Sequence, residues 1–270
     1  MMADLLTVDA LTLATAETVL VEDLSFSIGR GERFGLIGES GSGKSLTSLA
    51  VLGLLPPAIR ATGQVTLDGQ AIVGAPERKL RGLRGSVVAS VFQEPLTALD
   101  PLMPLGRQIA LPVRRRLRRE GRDSTRTAVR REVHALMDQV RLPDPQRLYD
   151  AYPHEVSGGQ RQRVAIAMAL ACQPRLLIAD EPTTALDVTT QVEIIRLINT
   201  LVEELDIALL FISHDLAVVG QMAERVMVMR NGRAVETGAM QQVLTRPRDA
   251  YTRALVTAAR RFDHALEGQP

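Results

Sequence analysis

The sequence predicts an α/β fold with a mostly parallel sheet, accompanied by an antiparallel β subdomain and an inserted α-helical subdomain. Three observations predict it. Short apolar runs at 176–180, 207–213 and 226–229 alternate with stretches of helical periodicity, the pattern of buried parallel strands and their crossover helices. Apolar residues alternate instead at Leu6, Val8, Leu11 and Leu13 and at Leu24, Phe26 and Ile28, as expected of half-buried antiparallel strands. Strand signals then vanish between 95 and 156, where helical periodicity takes over.

The first alternating strands close at the turn Gly29-Arg30-Gly31-Glu32. An apolar strand over 33–37 follows and runs into Gly38-Glu39-Ser40-Gly41-Ser42-Gly43-Lys44-Ser45, after which Leu46 begins an apolar-periodic helix. Strand, glycine-rich turn and helix together form a phosphate cradle. Gly38, Gly41 and Gly43 let successive N–H groups turn into one concavity, and the helix adds its positive end. Lys44 is placed to reach terminal phosphates and Ser45 to ligate Mg²⁺. Lys44 and Lys79 are the only lysines, and arginine supplies the other 30 of 32 basic side chains. A chain that otherwise uses arginine keeps a compact ammonium where it fits between phosphates.

Val65 to Leu67 with the Asp68-Gly69 turn add a hairpin, and 87–92 is a further apolar run ending at Gln93-Glu94-Pro95. Helices are expected over 105–117 and 127–140, with Pro143 and Pro145 breaking the pattern. Nine arginines lie between Arg114 and Arg131, interspersed with Glu120, Asp123 and Glu132, and read as a solvated helical face. Ser157-Gly158-Gly159-Gln160 opens a helix. A strand to Asp180, a helix over 188–205, a strand over 207–213, a helix near 215–222 and a strand over 226–229 complete the α/β series. Asn231-Gly232 turns a hairpin, and two short helices finish the chain.

With 270 residues, 46% of them hydrophobic, the chain can bury a large core. A net charge of +1 gives no global attraction to nucleic acid or anionic membrane. One cysteine, Cys172, excludes an internal disulfide framework and a cysteine-only metal cluster, which suits a reducing compartment. No apolar run approaches the about 18 residues of a membrane span, and the start shows no secretory pattern, so a soluble chain is expected.

Chemistry concentrates at strand ends. Ligands sit at the carboxyl ends of parallel strands, where the phosphate loop also lies. Asp180 closes one such strand and can hold the Mg²⁺ that Ser45 touches. Glu181, one residue on, can polarise a water in line with the terminal phosphate. Ser213-His214-Asp215 closes another strand and brings an imidazole to the same edge.

These residues, in this order, resemble the ATP-binding cassette of ABC transporters over nearly the whole chain. Residues 38–45 resemble its Walker A motif, Gln93 the Q-loop glutamine, Val156 to Gln160 the signature motif and 176–180 Walker B. Glu181 matches the catalytic glutamate, Ala185-Leu186-Asp187 the D-loop and His214 the switch histidine. The resemblance implies a P-loop ATPase binding ATP and Mg²⁺. Gly38, Glu39, Ser40, Gly41, Ser42, Gly43, Lys44, Ser45 and Leu46 would hold nucleotide, and Ser45, Gln93 and Asp180 the metal. Glu181, His214, Gln93 and Lys44 would carry catalysis. Ser157, Gly158, Gly159 and Gln160 would act on the ATP of a partner in a head-to-tail dimer. The implied domain covers 1–270: a RecA-like core with the antiparallel β subdomain from 1–94 and 157–245, a helical subdomain at 95–156, and a helical extension at 246–270.

The runs 92–101, Tyr152-Pro153-His154-Glu155, and Pro247 with Tyr251, Thr252 and Leu255 are similar to importers of peptides, opines and nickel. That similarity implies membrane permease subunits as partners and a second ATP-binding subunit, identical or paralogous. It also implies an extracytoplasmic solute-binding protein, a place on the cytoplasmic face of the membrane, and no nucleic acid partner. Many such subunits carry an iron–sulfur tail. None is expected here, since no cysteine follows Cys172.

Two positions depart from the family pattern. Val156 replaces the usual leucine, and residues 6–18 lack the aromatic that stacks on adenine. Such stacking contributes about 1–3 kcal/mol, so weak base discrimination is expected, with Thr15 near that position. The alternative reading, an ABC ATPase acting on nucleic acid or ribosomes without a permease, would call for a long coiled coil or two fused cassettes. This sequence shows neither.

Overall fold

A computed structural model describes residues 4–94, 98–184 and 186–267. Pro95, Leu96 and Thr97 of the 92–101 run, Ala185 of the D-loop and residues 268–270 lie outside the described residues. The chain divides into two compact units, Met1–Leu80 with Ala208–Pro270, and Arg81–Ile207.

The first unit contains β1 (Leu6–Ala14), β2 (Val19–Ile28), β3 (Arg33–Ile37), β4 (Arg60–Leu67) and β5 (Gln70–Ala71). With numbering continued along the chain, it also holds β8 (Ala208–Ser213), β9 (Arg225–Arg230) and β10 (Arg233–Ala239). The alternating sequence near the start forms an antiparallel sheet in the order β2-β1-β4-β5. Leu6, Val8, Leu11 and Leu13 are all buried, so this alternation puts its apolar side inward.

The fully apolar strand behaves differently. β3 pairs in parallel with both β8 and β9, and Phe34, Leu36 and Ile37 are completely buried. A strand with a neighbour on each side and elements on both faces has no solvent face to keep polar. Phe26 of β2 stacks on Phe34 of β3 with ring centroids 5.2 Å apart. Helix α1 (Lys44–Leu52) leaves the phosphate loop and ends at Gly53 in the left-handed conformation. α8 (Leu216–Met222), α9 (Met240–Thr245) and α10 (Ala250–Glu267) complete this unit. The last helix is 18 residues long rather than short as expected.

A helix not anticipated from the sequence, α2 (Glu77–Leu83), carries the chain into the second unit. There β6 (Val88–Val91) pairs in parallel with β7 (Leu176–Asp180). The helices of this unit are α3 (Leu105–Arg119), α4 (Arg126–Gln139), α5 (Pro145–Asp150), α6 (Gly158–Leu170) and α7 (Val188–Glu204). Pro145 begins a helix rather than only breaking one, because Asp144 caps it by accepting the Arg147 N–H at 3.2 Å. A proline in the first turn gives up an N–H that would be unpaired anyway.

The arginine-rich stretch is not all solvated. Ile109, Val113, Arg116 and Leu117 all face the interior along α3, and Arg116 is only 2% exposed. Its guanidinium pairs with Glu132 of α4 and reaches Glu120 at 3.8 Å, while Arg122 holds the other Glu132 oxygen at 2.8 Å. Helical spacing brought one arginine onto the apolar face, and two glutamates neutralise it there.

Candidate functional site

The first unit builds the phosphate loop at the carboxyl end of β3. Gly38 lies against the backbone of β9: a Cβ there would sit 2.2 Å from the Met229 carbonyl oxygen, so no side chain fits. Gly41 and Gly43 take φ of +81° and +100°, the curl expected of a phosphate cradle. The Lys44 ammonium donates to the carbonyls of Gly38 at 2.7 Å and Glu39 at 2.9 Å, and to Ser42 Oγ at 3.4 Å. Lys44 and Ser42 are buried, whereas Glu39, Ser40 and Ser45 are exposed and Leu46 is half-buried.

Strand register places His214 at the same edge. Ile37 lies opposite Ser213 in the parallel β3–β8 pair, so Gly38 and His214 leave their strands together. Asp215 caps α8 by accepting the N–H groups of Ala217 at 2.8 Å and Val218 at 3.3 Å. Its own N–H donates to Ser213 Oγ at 3.0 Å. The exposed His214 is therefore fixed between two residues whose backbone is bonded.

The second unit brings a further set together. Val91 lies opposite Ala179 in the β6–β7 pair, so Gln93 and Glu181, each two residues on, leave at one end of that pair. Asp180 is buried at 6% exposure. Glu181 adopts φ of +47°, the left-handed region, and accepts the Thr184 hydroxyl proton at 3.0 Å. A non-glycine residue there stores on the order of 1–2 kcal/mol, a cost that clusters at working sites.

Ser157 caps α6 through a reciprocal box. Its hydroxyl accepts the Gln160 N–H at 3.2 Å, and Gln160 Oε1 accepts the Ser157 N–H at 3.0 Å. Asp187 caps α7 without reciprocation, accepting the Thr190 N–H at 3.0 Å and the Thr190 hydroxyl at 2.7 Å. These two bonds hold the Asp187 carboxyl below its ordinary range. The two helix starts touch, since a Cβ on Gly159 would lie 2.6 Å from Thr190 Cγ2. Ser157 and Asp187 are exposed, and Val188 beside Asp187 is 79% exposed.

The structure thus assembles the loop with His214 in one unit, and Gln93, Asp180 and Glu181 at one strand end in the other. The signature residues and Asp187 form a separate cluster in that second unit. Among the described residues no group of three or more His, Cys, Asp or Glu is placed to hold a metal by itself. Sequence reasoning missed one contact: Tyr251 of α10 accepts the Glu39 N–H at 3.1 Å. Its only sequence signal was the subfamily run around Pro247 and Tyr251.

The ABC transporter family profile matches residues 21–184. The chain is 46% identical over 260 residues to the glutathione import ATP-binding protein GsiA of Pectobacterium atrosepticum, covering 94% of this chain and 41% of that protein. It is 47% identical over 247 residues to the peptidoglycan transport ATP-binding protein YejF of Agrobacterium fabrum, covering 90% and 44%. The chain therefore spans about two fifths of the length of the curated relatives it matches. Among solved structures it resembles the ATP-binding cassette MJ0796 in a dimeric post-hydrolysis state bound to ADP and Pi. The TM-score is 0.75 at 27% identity, over 87% of this chain and 98% of that one. cbiO1 of Clostridium perfringens, part of the transporter complex cbiONQ, gives 0.75 at 26% identity, over 98% and 99%.

Proposed function

Because this chain belongs to the ABC transporter family, we propose that it binds and hydrolyses ATP to energise uptake of a small peptide-like solute through a separate membrane permease. The observation that carries this reading is strand register: parallel pairs end together at Gly38 and His214, and at Gln93 and Glu181.

In this mechanism the loop amides and Lys44 bind the triphosphate. Lys44 exchanges its carbonyl partners for phosphate oxygens, a trade of neutral for charged acceptors that favours binding. Glu181 orients a water and takes its proton, and His214 steadies the terminal phosphate. Ser45 and Asp180 offer hard oxygen donors, few in number, and this suits Mg²⁺, which keeps waters and phosphates as its other ligands. Gln93 would hold Mg²⁺ together with Ser45 and Asp180, and when bound the ion would neutralise charge on the phosphates. Ser157 to Gln160 would close over the ATP of a second subunit, and the exposure of Ser157, Asp187 and Val188 supports a surface made for a partner. Under this reading an isolated monomer hydrolyses ATP poorly.

No helix among the described residues is long and apolar enough to cross a membrane. We assign passage across the membrane to permease subunits and place the chain against their cytoplasmic side. The peptide-like substrate follows from the relatives named for glutathione import and peptidoglycan transport.

Glu181→Gln tests the mechanism. Phosphate release should fall at least about a hundredfold, as for loss of a general base, while MgATP binding persists. Turnover at the wild-type rate would refute the role of Glu181.

A further inference from the structure

The phosphate loop is gripped from a part of the chain more than two hundred residues away. Tyr251 is 8% exposed in the first turn of α10, and its hydroxyl accepts the Glu39 N–H at 3.1 Å. That N–H belongs to the same peptide group as the Gly38 carbonyl, which accepts the Lys44 ammonium at 2.7 Å. One amide is therefore held at both ends, by the lysine and by the tyrosine. The charge on Lys44 polarises this amide and strengthens its N–H as a donor.

The tyrosine is itself fixed. Asp249 accepts the N–H of Tyr251 at 2.8 Å and that of Thr252 at 3.4 Å. Glu236 of β10 in turn accepts the N–H groups of Arg248 and Asp249 at 3.0 Å. The Arg230 guanidinium, at the end of β9, lies 4.8 Å from the centre of the Tyr251 ring. Burial raises the Tyr251 phenol above its ordinary value, so the hydroxyl stays protonated and neutral. Every partner here comes from the β9–β10 hairpin, from the first turn of α10 and the two residues before it, or from the loop.

We propose that Tyr251 is a positioning residue for nucleotide binding, which fixes the Gly38–Glu39 peptide and thereby makes the start of the C-terminal helix part of the phosphate cradle. The inference rests on the reading that ATP binds at this loop. With the hydroxyl absent, the peptide keeps only the Lys44 contact, which the lysine gives up for phosphate, so part of the cost of ordering it moves from folding to binding. The effect falls on affinity. Chemistry at Glu181 should be untouched once nucleotide is bound.

The test compares full-length wild type with Tyr251→Phe, which keeps the ring under Arg230. MgADP and MgATP affinities are measured by calorimetry, KM and kcat by phosphate release, and melting without nucleotide. Loss of one hydrogen bond to a part-buried backbone donor predicts affinity weaker by about three- to tenfold. KM should rise by the same factor, with kcat within twofold. Affinity within twofold of wild type would overturn the proposal, as would a lowered melting point with unchanged affinity or a fall confined to kcat. If wild type itself binds neither nucleotide, the reading of the loop fails, and with it this proposal. Should Tyr251→Phe not fold, Asp249→Ala keeps the tyrosine while removing the carboxylate that holds its N–H, and the same loss of affinity is expected.

Discussion

Replacing Gly38 by alanine puts one methyl group where the fold has no space. The added Cβ would meet the Met229 carbonyl oxygen at 2.2 Å and Ser42 Oγ at 2.7 Å. The first distance is roughly 1 Å inside ordinary carbon–oxygen contact, and its partner is backbone, which cannot swing aside like a side chain. Overpacking usually costs 1–3 kcal/mol, so a backbone clash belongs at the upper end, about 3 kcal/mol. For a chain of this size each kcal/mol lowers the melting point by about 2–4 °C, giving a fall of about 6–12 °C. The loop should suffer too, because the Gly38 carbonyl that must shift is one that Lys44 holds. Gly41→Ala is the control. Its Cβ would meet nothing within 4 Å, but φ there is +81°, so it incurs only backbone strain of about 1–2 kcal/mol. Thermal unfolding and MgATP titration of both variants separate the two costs. If Gly38→Ala melts with wild type and binds MgATP unchanged, the wedging of this loop against β9 is wrong.

Two further outcomes follow from ion pairs and hydrogen bonds. Arg116→Met should destabilise by only about 1–2 kcal/mol in urea unfolding, less than the 3–5 kcal/mol of a fully orphaned buried charge. Arg122 still holds Glu132 at 2.8 Å, so a loss above 4 kcal/mol would contradict this network. At Glu236, burial pushes the carboxyl up, but the N–H groups of Arg248 and Asp249 outweigh it and hold it below its ordinary value of 4.5. Its contribution is therefore complete above that pH and is lost as the pH falls through the lowered folded value. Amide exchange at Arg248 and Asp249 should accelerate across that acid window in wild type, whereas Glu236→Gln should show no such step; identical profiles would refute the clamp.

Much of the site was legible because its signals are local. Glycine spacing gave the curl of the loop, the Ser157–Gln160 spacing gave the cap of α6, and acidic or imidazole residues after apolar runs marked strand ends. What escaped depends on partners far along the chain or on context. Glu77 to Leu83 is helical, yet it is short and mostly charged, too few residues for periodicity to show. Pro145 was legible only as a breaker, since its role as a helix start needs the Asp144 cap. Arg116 looked solvated because composition does not say which face of a helix is covered. Tyr251 meets Glu39 across 212 positions, beyond any local pattern.

Under the proposed function, the reciprocal cap at the start of α6 gives the Ser157 oxygen two duties. Since the hydroxyl already accepts the Gln160 N–H, what it has left to offer an approaching anion is its proton. Removing the hydroxyl thus frays a helix by about 1 kcal/mol before any phosphate is involved. Loss of activity in Ser157→Ala would mix these two debts. Aspartate caps as well as serine but repels an anion, so only the charged substitution tells recognition apart from helix order.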